Sequence, residues 1–467
     1  MNMQLIKLEL AMLVRERRVL WLLLGVAALI LLSFMLVAIE TTNTNAATYS
    51  TAYAERDRWL NQDQKDPHSA AHHSIYAFKP APALATLDPG IEPFVGQSVW
   101  LEAHAQNDML HRPKGEAGSL QRAGLVNPAA LLATLAPVVA FVLAFIVVAR
   151  DMERGTLRLA LGAALRPRQI LAAKAWVIWG AMVGVAVVPL VLFASGLAVW
   201  QGSFDPDAAF RLIAWTLTMS AYLGLLTLLG IAIAAALTDV RMSLAALFGL
   251  WILLSIALPR ALTNVVEIAR PLPQTQAVKQ ELQGDAPVYW SAEVSQARQQ
   301  ELLARYGVMR KEDLPIDERG AQLDAAERHS HQVFDRVLGG FYDQVEGQDA
   351  LFAKLAIFSP TAAVQSLSQT FAGTDFTHHR QFIDQAERYR RDLVNRMNTE
   401  VMNHPLGEAG NRYLGDHALW ASIAPFSYAV PSLTTSWHNS AAALPALLFW
   451  LASASFGYGL ATRGLRP

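Results

Sequence analysis

Six stretches of the chain contain no Asp, Glu, Lys, Arg or His and are rich in Leu, Ala, Val, Ile and Phe: residues 19–39, 129–149, 175–199, 212–237, 242–259 and 441–462. The fifth can be extended past Arg260 to residue 262. A helix crossing hydrocarbon needs about 20 mostly apolar residues. A helix of that length in a water-soluble core would show a polar stripe, and none of these does. The pattern predicts an all-α polytopic membrane protein with six transmembrane helices. The first run is longer than the roughly 7–15 apolar residues of a secretory signal, so it reads as an uncleaved first span.

The polar positions between the runs set the expected topology. Lys7, Arg15, Arg17 and Arg18 precede the first run, Arg150, Arg154, Arg158, Arg166, Arg168 and Lys174 separate the second from the third, and Arg463 and Arg466 follow the sixth. Short loops rich in Lys and Arg face the cytoplasm, whereas the loop after the third run carries Asp205 and Asp207. Both termini are therefore expected in the cytoplasm, and two insertions, 40–128 and 263–440, outside it.

Residues 1–18 read as an amphipathic helix able to lie in the interface, or as a positive flank that only fixes orientation. Residues 41–64 are polar and helix-compatible, and could continue the first span outward. Pro80, Pro82, Pro89, Gly90 and Pro93 then argue for irregular structure. The larger insertion has few breakers over 274–306, 316–345 and 381–402, so it is expected to be mainly helical. The remaining boundaries are a cytoplasmic loop at 150–174 and a cytoplasmic tail at 463–467.

Composition adds three exclusions. Charged residues make up only 16% of the 467 residues, against about a quarter in soluble domains, a deficit the six runs account for. The net charge of −1 creates no field attracting nucleic acid. With no cysteine, disulfides, thiolate zinc sites and cysteine nucleophiles are ruled out.

The loop between the second and third runs reads RDMERGTLRLALGAALRPRQILAAK. Glu153, Gly155, Thr156, Leu157, Leu165, Pro167, Arg168, Ile170, Leu171 and Lys174 resemble the loop of ABC-2-type exporter permeases, commonly E-x-x-x-G-T-L…L-x-x-P-x-x-R-x-x-I-L-x-x-K. Glu153 stands closer to Gly155 than in many members, and Arg168 fits the arginine position only loosely. Physically, Gly155–Thr156 can break the helix leaving the second span, and Thr156 can cap a short helix over 157–165. Pro167 would end that helix, and Lys174 would anchor the third span at the interface. In the family this elbow docks on a nucleotide-binding subunit; the plain alternative is a positively charged turn with no partner.

A second stretch, FSPTAAVQSLSQTFAGTDFTHHRQFIDQAERYRRDL over 358–393, resembles ABC-2 permeases with a large uncharacterised domain between the fifth and sixth spans. Ser359, Pro360, Ala372, Gly373, Thr374, Asp375, His378, His379, Phe382, Tyr389 and Arg390 carry that likeness. The resemblance implies a bacterial inner-membrane permease subunit of export type, not itself an enzyme. It implies as partners a dimeric ABC ATPase that binds ATP and Mg, and a second copy or a homologous permease. An outer binding protein could be a further partner; no nucleic acid is implied. The chain itself holds no cofactor: no Gly-Lys pair occurs in it, so the phosphate loop G-x-x-x-x-G-K-[ST] is absent. The runs also lack the buried ionisable residues that ion-coupled carriers need.

All twelve histidines fall in the two insertions. His68 and His72, four residues apart, would share one face of a helix and could meet one metal, with His73 beside them. No H-E-x-x-H spacing occurs. A membrane-anchored metal-binding protein using these histidines, or a receptor or scaffold, is the alternative to a permease. The adjacent His378 and His379 should point apart on a helix and serve packing or capping. Pro137, Pro189 and Pro445 can kink their spans, and Gly180 and Gly184 form a G-x-x-x-G pair suited to close helix contact.

Overall fold

The computed structural model describes residues 3–73, 75–110, 127–156, 159, 166–237, 239–285, 291–405 and 412–464. Six helices in it are long and apolar enough to cross a membrane: Arg17–Leu60, Pro128–Glu153, Pro167–Trp200, Pro206–Ala236, Val240–Ala269 and Ala443–Gly464. The chain is predominantly helical, and the described residues contain one two-stranded antiparallel sheet. There Tyr76 pairs with Trp100 and Phe78 with Ser98.

The fourth apolar helix is the hub of the bundle. Trp215, Tyr222, Leu225, Leu226, Ile231 and Ala234 on it are all fully buried, and it packs along the sixth, second and third helices. The first apolar helix touches the bundle more narrowly. Val19, Leu23, Ile30, Phe34 and Val37 are its buried apolar residues below the polar half, a seam at helical spacing. Its 44 residues reach about 66 Å at 1.5 Å per residue, roughly twice a bilayer's hydrocarbon thickness. The polar residues after Ile39 thus continue the same helix to Leu60.

Proline explains two irregularities. A π-helical turn occupies Val183–Val187 just before Pro189, and another Leu253–Ala257 just before Pro259. Proline lacks the N–H that would bond four residues back, and a wider turn re-satisfies the freed carbonyls. Pro137 follows a break at Leu135 between Pro128–Thr134 and Ala136–Ala144. Pro445 does not act as a kink. Its helix begins at Ala443, so the missing N–H falls in the first turn, where no partner exists anyway. Gly180 and Gly184 also differ from expectation: a Cβ on either would meet nothing within 4 Å, so among the described residues no neighbouring helix of this chain approaches there.

The polar segments before the second and after the fifth apolar helix fold into one body. Trp59, Ala77, Val99 and Leu101 from the first share a core with Phe382, Leu393, Met397 and Trp420 from the second. Trp59 donates its indole N–H to the Trp420 carbonyl at 2.9 Å.

The helix Pro360–Ala372 departs from this body. Its residues Ala362, Ala363, Val364, Leu367 and Phe371 join the core of the apolar bundle. Two hydroxyls on it meet polar atoms of the fourth helix. The Tyr222 hydroxyl lies 2.9 Å from both the Thr361 hydroxyl and the Ala133 carbonyl, and Trp215 donates to the Ser368 hydroxyl at 2.9 Å. Ser368 in turn donates to Asp88 at 2.6 Å. Small residues on one face and hydroxyls on another let this helix sit among the bundle without an orphaned polar group.

Candidate functional site: the elbow after the second apolar helix and a histidine cluster

The second apolar helix ends at Glu153, and Gly155 turns the chain with φ of 74°. A side chain in that left-handed region is strained, so glycine suits the break. The Thr156 hydroxyl donates back to the Asp151 carbonyl at 3.1 Å; the short helix it is expected to cap lies, apart from Leu159, outside the described residues. The Leu159 N–H bonds the Gly155 carbonyl at 3.1 Å, continuing a helical turn, and the Leu159 side chain is 75% exposed. Leu157 and Leu165 lie outside the described residues.

Pro167 opens the third helix, and the end of the helix expected before it lies outside the described residues. Arg166 before it is extended, as a residue preceding proline prefers, and its N–H donates to Gln169 Oε1 at 3.3 Å. Glu153, Arg154, Thr156, Leu159, Arg166 and Arg168 are all exposed. Among its described residues the elbow therefore presents a mixed charged surface with Leu159 as an apolar knob.

Lys174 makes its contacts inside the protein. It is buried two turns into the third helix, and its ammonium donates to Glu9 at 3.0 Å and to Asp151 at 2.8 Å. Glu9 comes from the helix Met3–Arg15, whose Leu5 packs on Ile170 and Ala173. Burial pushes the Glu9 carboxyl upward against the opposing pull of Lys174. This triad fixes the first helix, the end of the second span and the start of the third as one unit behind the elbow.

A second constellation lies in the polar body. Asp66 caps the short helix Pro67–Ala70 by accepting from the Ser69 N–H, and Arg319 pairs with Asp66 from outside. That helix aims the His68 ring inward and holds His72 near it. His68 Nε2 lies 3.2 Å from His104 Nε2 and 3.4 Å from His72 Nε2. One ring nitrogen from each of the three falls within 4.8 Å of the others.

The far sides of the three rings are bound as well. His68 Nδ1 meets Asn398 Oδ1 at 2.7 Å, His72 Nδ1 meets Glu102 Oε1 at 2.7 Å, and His104 Nδ1 meets Glu327 Oε1 at 2.5 Å. Burial, then the neighbouring His104, pushes His68 down to about 4. Burial also acts to lower His104, but the hydrogen bond and charge of Glu327 outweigh it and leave the ring raised.

Arg390 locks the loop bearing His104. It donates twice to Glu387 at 2.7 Å and once to the Ala103 carbonyl at 2.8 Å. The helical spacing of His68 and His72 pointed to this place, but His73 is exposed and is not the third ring. His104 is, delivered by a loop that carries no periodic signal. His378 and His379 do point apart: His378 bonds Asp375 at 2.5 Å and faces Arg211, while His379 faces Lys79.

Residues 276–429 match the family DUF3526, a domain of unknown function. That match covers about a third of the chain, including the stretch 358–393 and the helices that carry Glu327, Arg390 and Asn398. No curated protein matches the chain, and no solved structure does.

Proposed function

We propose that the chain is the membrane-spanning permease subunit of an ATP-driven ABC transporter of export type. In this reading it resides in a bacterial inner membrane with both termini in the cytoplasm. A separate dimeric ATPase binds ATP and Mg and docks on the elbow between Glu153 and Lys174. A second copy, or a related permease, completes the path. The two polar segments form the outer body, which receives the substrate or meets an outer partner.

The elbow is the observation that carries this reading. It exposes Leu159 among charged residues, while Lys174, Glu9 and Asp151 tie its base to two apolar helices and the N-terminal helix. A push on the elbow would therefore move those elements together, which is what coupling to a motor subunit requires. The helix Pro360–Ala372, set between the fourth and sixth helices, gives the bundle a direct mechanical link to the outer body.

Purification of the chain from its native membrane in mild detergent tests the proposal. An ATPase should accompany it and be lost from an elbow variant such as Leu159→Asp. Absence of any ATPase from the wild-type preparation would overturn it.

A further inference from the structure

We infer that His68, His72 and His104 form a binding site for one tetrahedral divalent transition-metal ion, zinc being the ion it fits best. The inference stands apart from the permease reading and uses none of the residues of the elbow.

The first argument is which nitrogen carries the proton. A neutral imidazole has one N–H and one lone pair. Asn398 Oδ1, Glu102 and Glu327 are acceptors, and each holds a histidine Nδ1 within 2.5–2.7 Å. Every Nδ1 is thereby fixed as the donor, and every Nε2 carries a lone pair. The Nε2 atoms of His72 and His104 both face that of His68, at 3.4 and 3.2 Å. One extra proton could bridge a single pair and would leave the third ring facing a lone pair. A metal cation satisfies all three at once.

The second argument is distance. Zn–N bonds of about 2.0–2.1 Å in a tetrahedron place ligand nitrogens about 3.3–3.4 Å apart. The separations of 3.2 and 3.4 Å lie within about 0.1 Å of that edge. A square-planar ion would bring neighbouring nitrogens to about 2.9 Å, closer than either pair. His72 is 35% exposed, so its ring has room to close the third edge.

The third argument is the surrounding shell. Histidine ligands of zinc characteristically donate their other N–H to a carboxylate or amide oxygen, which fixes the ring and raises its basicity. Here all three do so, and two of the acceptors are carboxylates whose charge balances a divalent ion. Glu327 Oε2 and Asn398 Nδ2 are buried without a hydrogen-bond partner among the described residues, Glu327 Oε2 having only His331 at 4.0 Å, polar groups set beside the rings at a cost that binding would justify. The fourth position opens toward the solvent side, where His72 and His104 are 35% and 38% exposed. The chemistry is that of an ion held by three imidazoles with one exchangeable site, not that of a closed four-ligand structural centre.

The site also crosses the two polar segments. Its ligands come from residues 68–104, whereas Glu327 and Asn398 come from the segment that matches DUF3526. Metal would thus clasp one segment to the other.

The test uses the full-length protein purified through a histidine-free tag. Metal content after loading with Zn(II) and dialysis should be one equivalent per chain. The Co(II) form should show the intense visible absorption of a tetrahedral centre. The variant His68→Ala/His104→Ala should lose the equivalent, and His73→Ala should keep it. Glu327→Gln and Asn398→Ala, which leave the three ligands in place, should weaken Zn(II) affinity by about 10–100-fold. If the double variant fails to fold, the last two carry the test. A wild-type preparation that binds no more zinc than His68→Ala/His104→Ala and no more tightly than Glu327→Gln or Asn398→Ala, or a Co(II) spectrum of octahedral type, would overturn the inference.

Discussion

Lys174 and Glu9 stand 165 positions apart in sequence, yet their side chains meet at 3.0 Å inside the protein. Asp151 completes the contact, so one ammonium holds two carboxylates from different helices. Removing the lysine would leave both without a counter-charge. Breaking a buried ion pair from one side costs about 3–5 kcal/mol. Lys174→Met should therefore lower the melting temperature in detergent by many degrees, and Lys174→Met/Glu9→Gln should recover part of the loss. A melting temperature unchanged in the single variant would show that the triad contributes nothing.

The elbow separates stability from coupling. Leu159 is exposed, and a surface substitution such as Leu159→Asp should alter stability by no more than about 0.5 kcal/mol. If the elbow docks an ATPase, the same change should abolish stimulated ATP hydrolysis by the assembled complex. Gly155→Val should do both kinds of damage, since a branched residue at φ of 74° costs about 1–2 kcal/mol. Thermal melts and ATPase assays on the same preparations distinguish the two effects.

Arg390 should tolerate no replacement well. It is 1% exposed and satisfies both oxygens of Glu387 together with two loop carbonyls. Lysine keeps the charge but lacks the planar fork, so Arg390→Lys is expected to be destabilised, and Arg390→Met to be worse by a further step. Hydrogen exchange should then rise first in residues 101–104, the loop those carbonyls belong to. Uniform exchange across the whole chain would contradict that local role.

Asp88 should make stability depend on pH. Burial raises its carboxyl from the ordinary 3.8 to about 6, against the lowering effect of hydrogen bonds from Ser368 and Gly90. The folded state therefore prefers the neutral acid. Its contribution is complete below pH 3.8 and disappears as the pH rises through 6. The full span corresponds to about 3 kcal/mol. Asp88→Asn keeps an acceptor for Ser368 but cannot ionise, so its melting temperature should vary less between pH 4 and 7 than that of the wild type. Parallel pH slopes for the two proteins would rule this out.

The six apolar helices were legible because lipid forbids charge over a long run, and that signal is local. Their ends were less so. The first helix continues to Leu60 because no Pro or Gly interrupts the polar stretch after Ile39 and Trp59 finds a long-range partner in Trp420. The third begins at Pro167, eight residues before its apolar run, because Lys174 is neutralised by Glu9 and Asp151 and so can be buried.

The helix Pro360–Ala372 reads by position as part of the outer domain, yet it packs into the apolar bundle. Its hydroxyls mask its apolar face in the sequence, and only Trp215, Tyr222 and Asp88 make that face affordable in place. Of the histidine cluster, helical spacing exposed His68 and His72 and nothing local exposed His104. Its signal is three-dimensional, the arrival of Glu327 and Asn398 from more than 200 residues downstream.

The shared core of the two polar segments has a consequence for biogenesis. Trp59 leaves the ribosome 361 residues before the Trp420 carbonyl that it bonds. At about 5–20 residues per second, that is a wait of roughly 20–70 s, during which four further apolar helices are made. Throughout it, the half-core around Trp59, Val99 and Leu101 has no other half. Nor can either segment be excised or grafted as a cassette, since each would carry away only one face of a joint interior. Maturation of this polar body is thus a closing step, begun at one end of translation and completed only near the other.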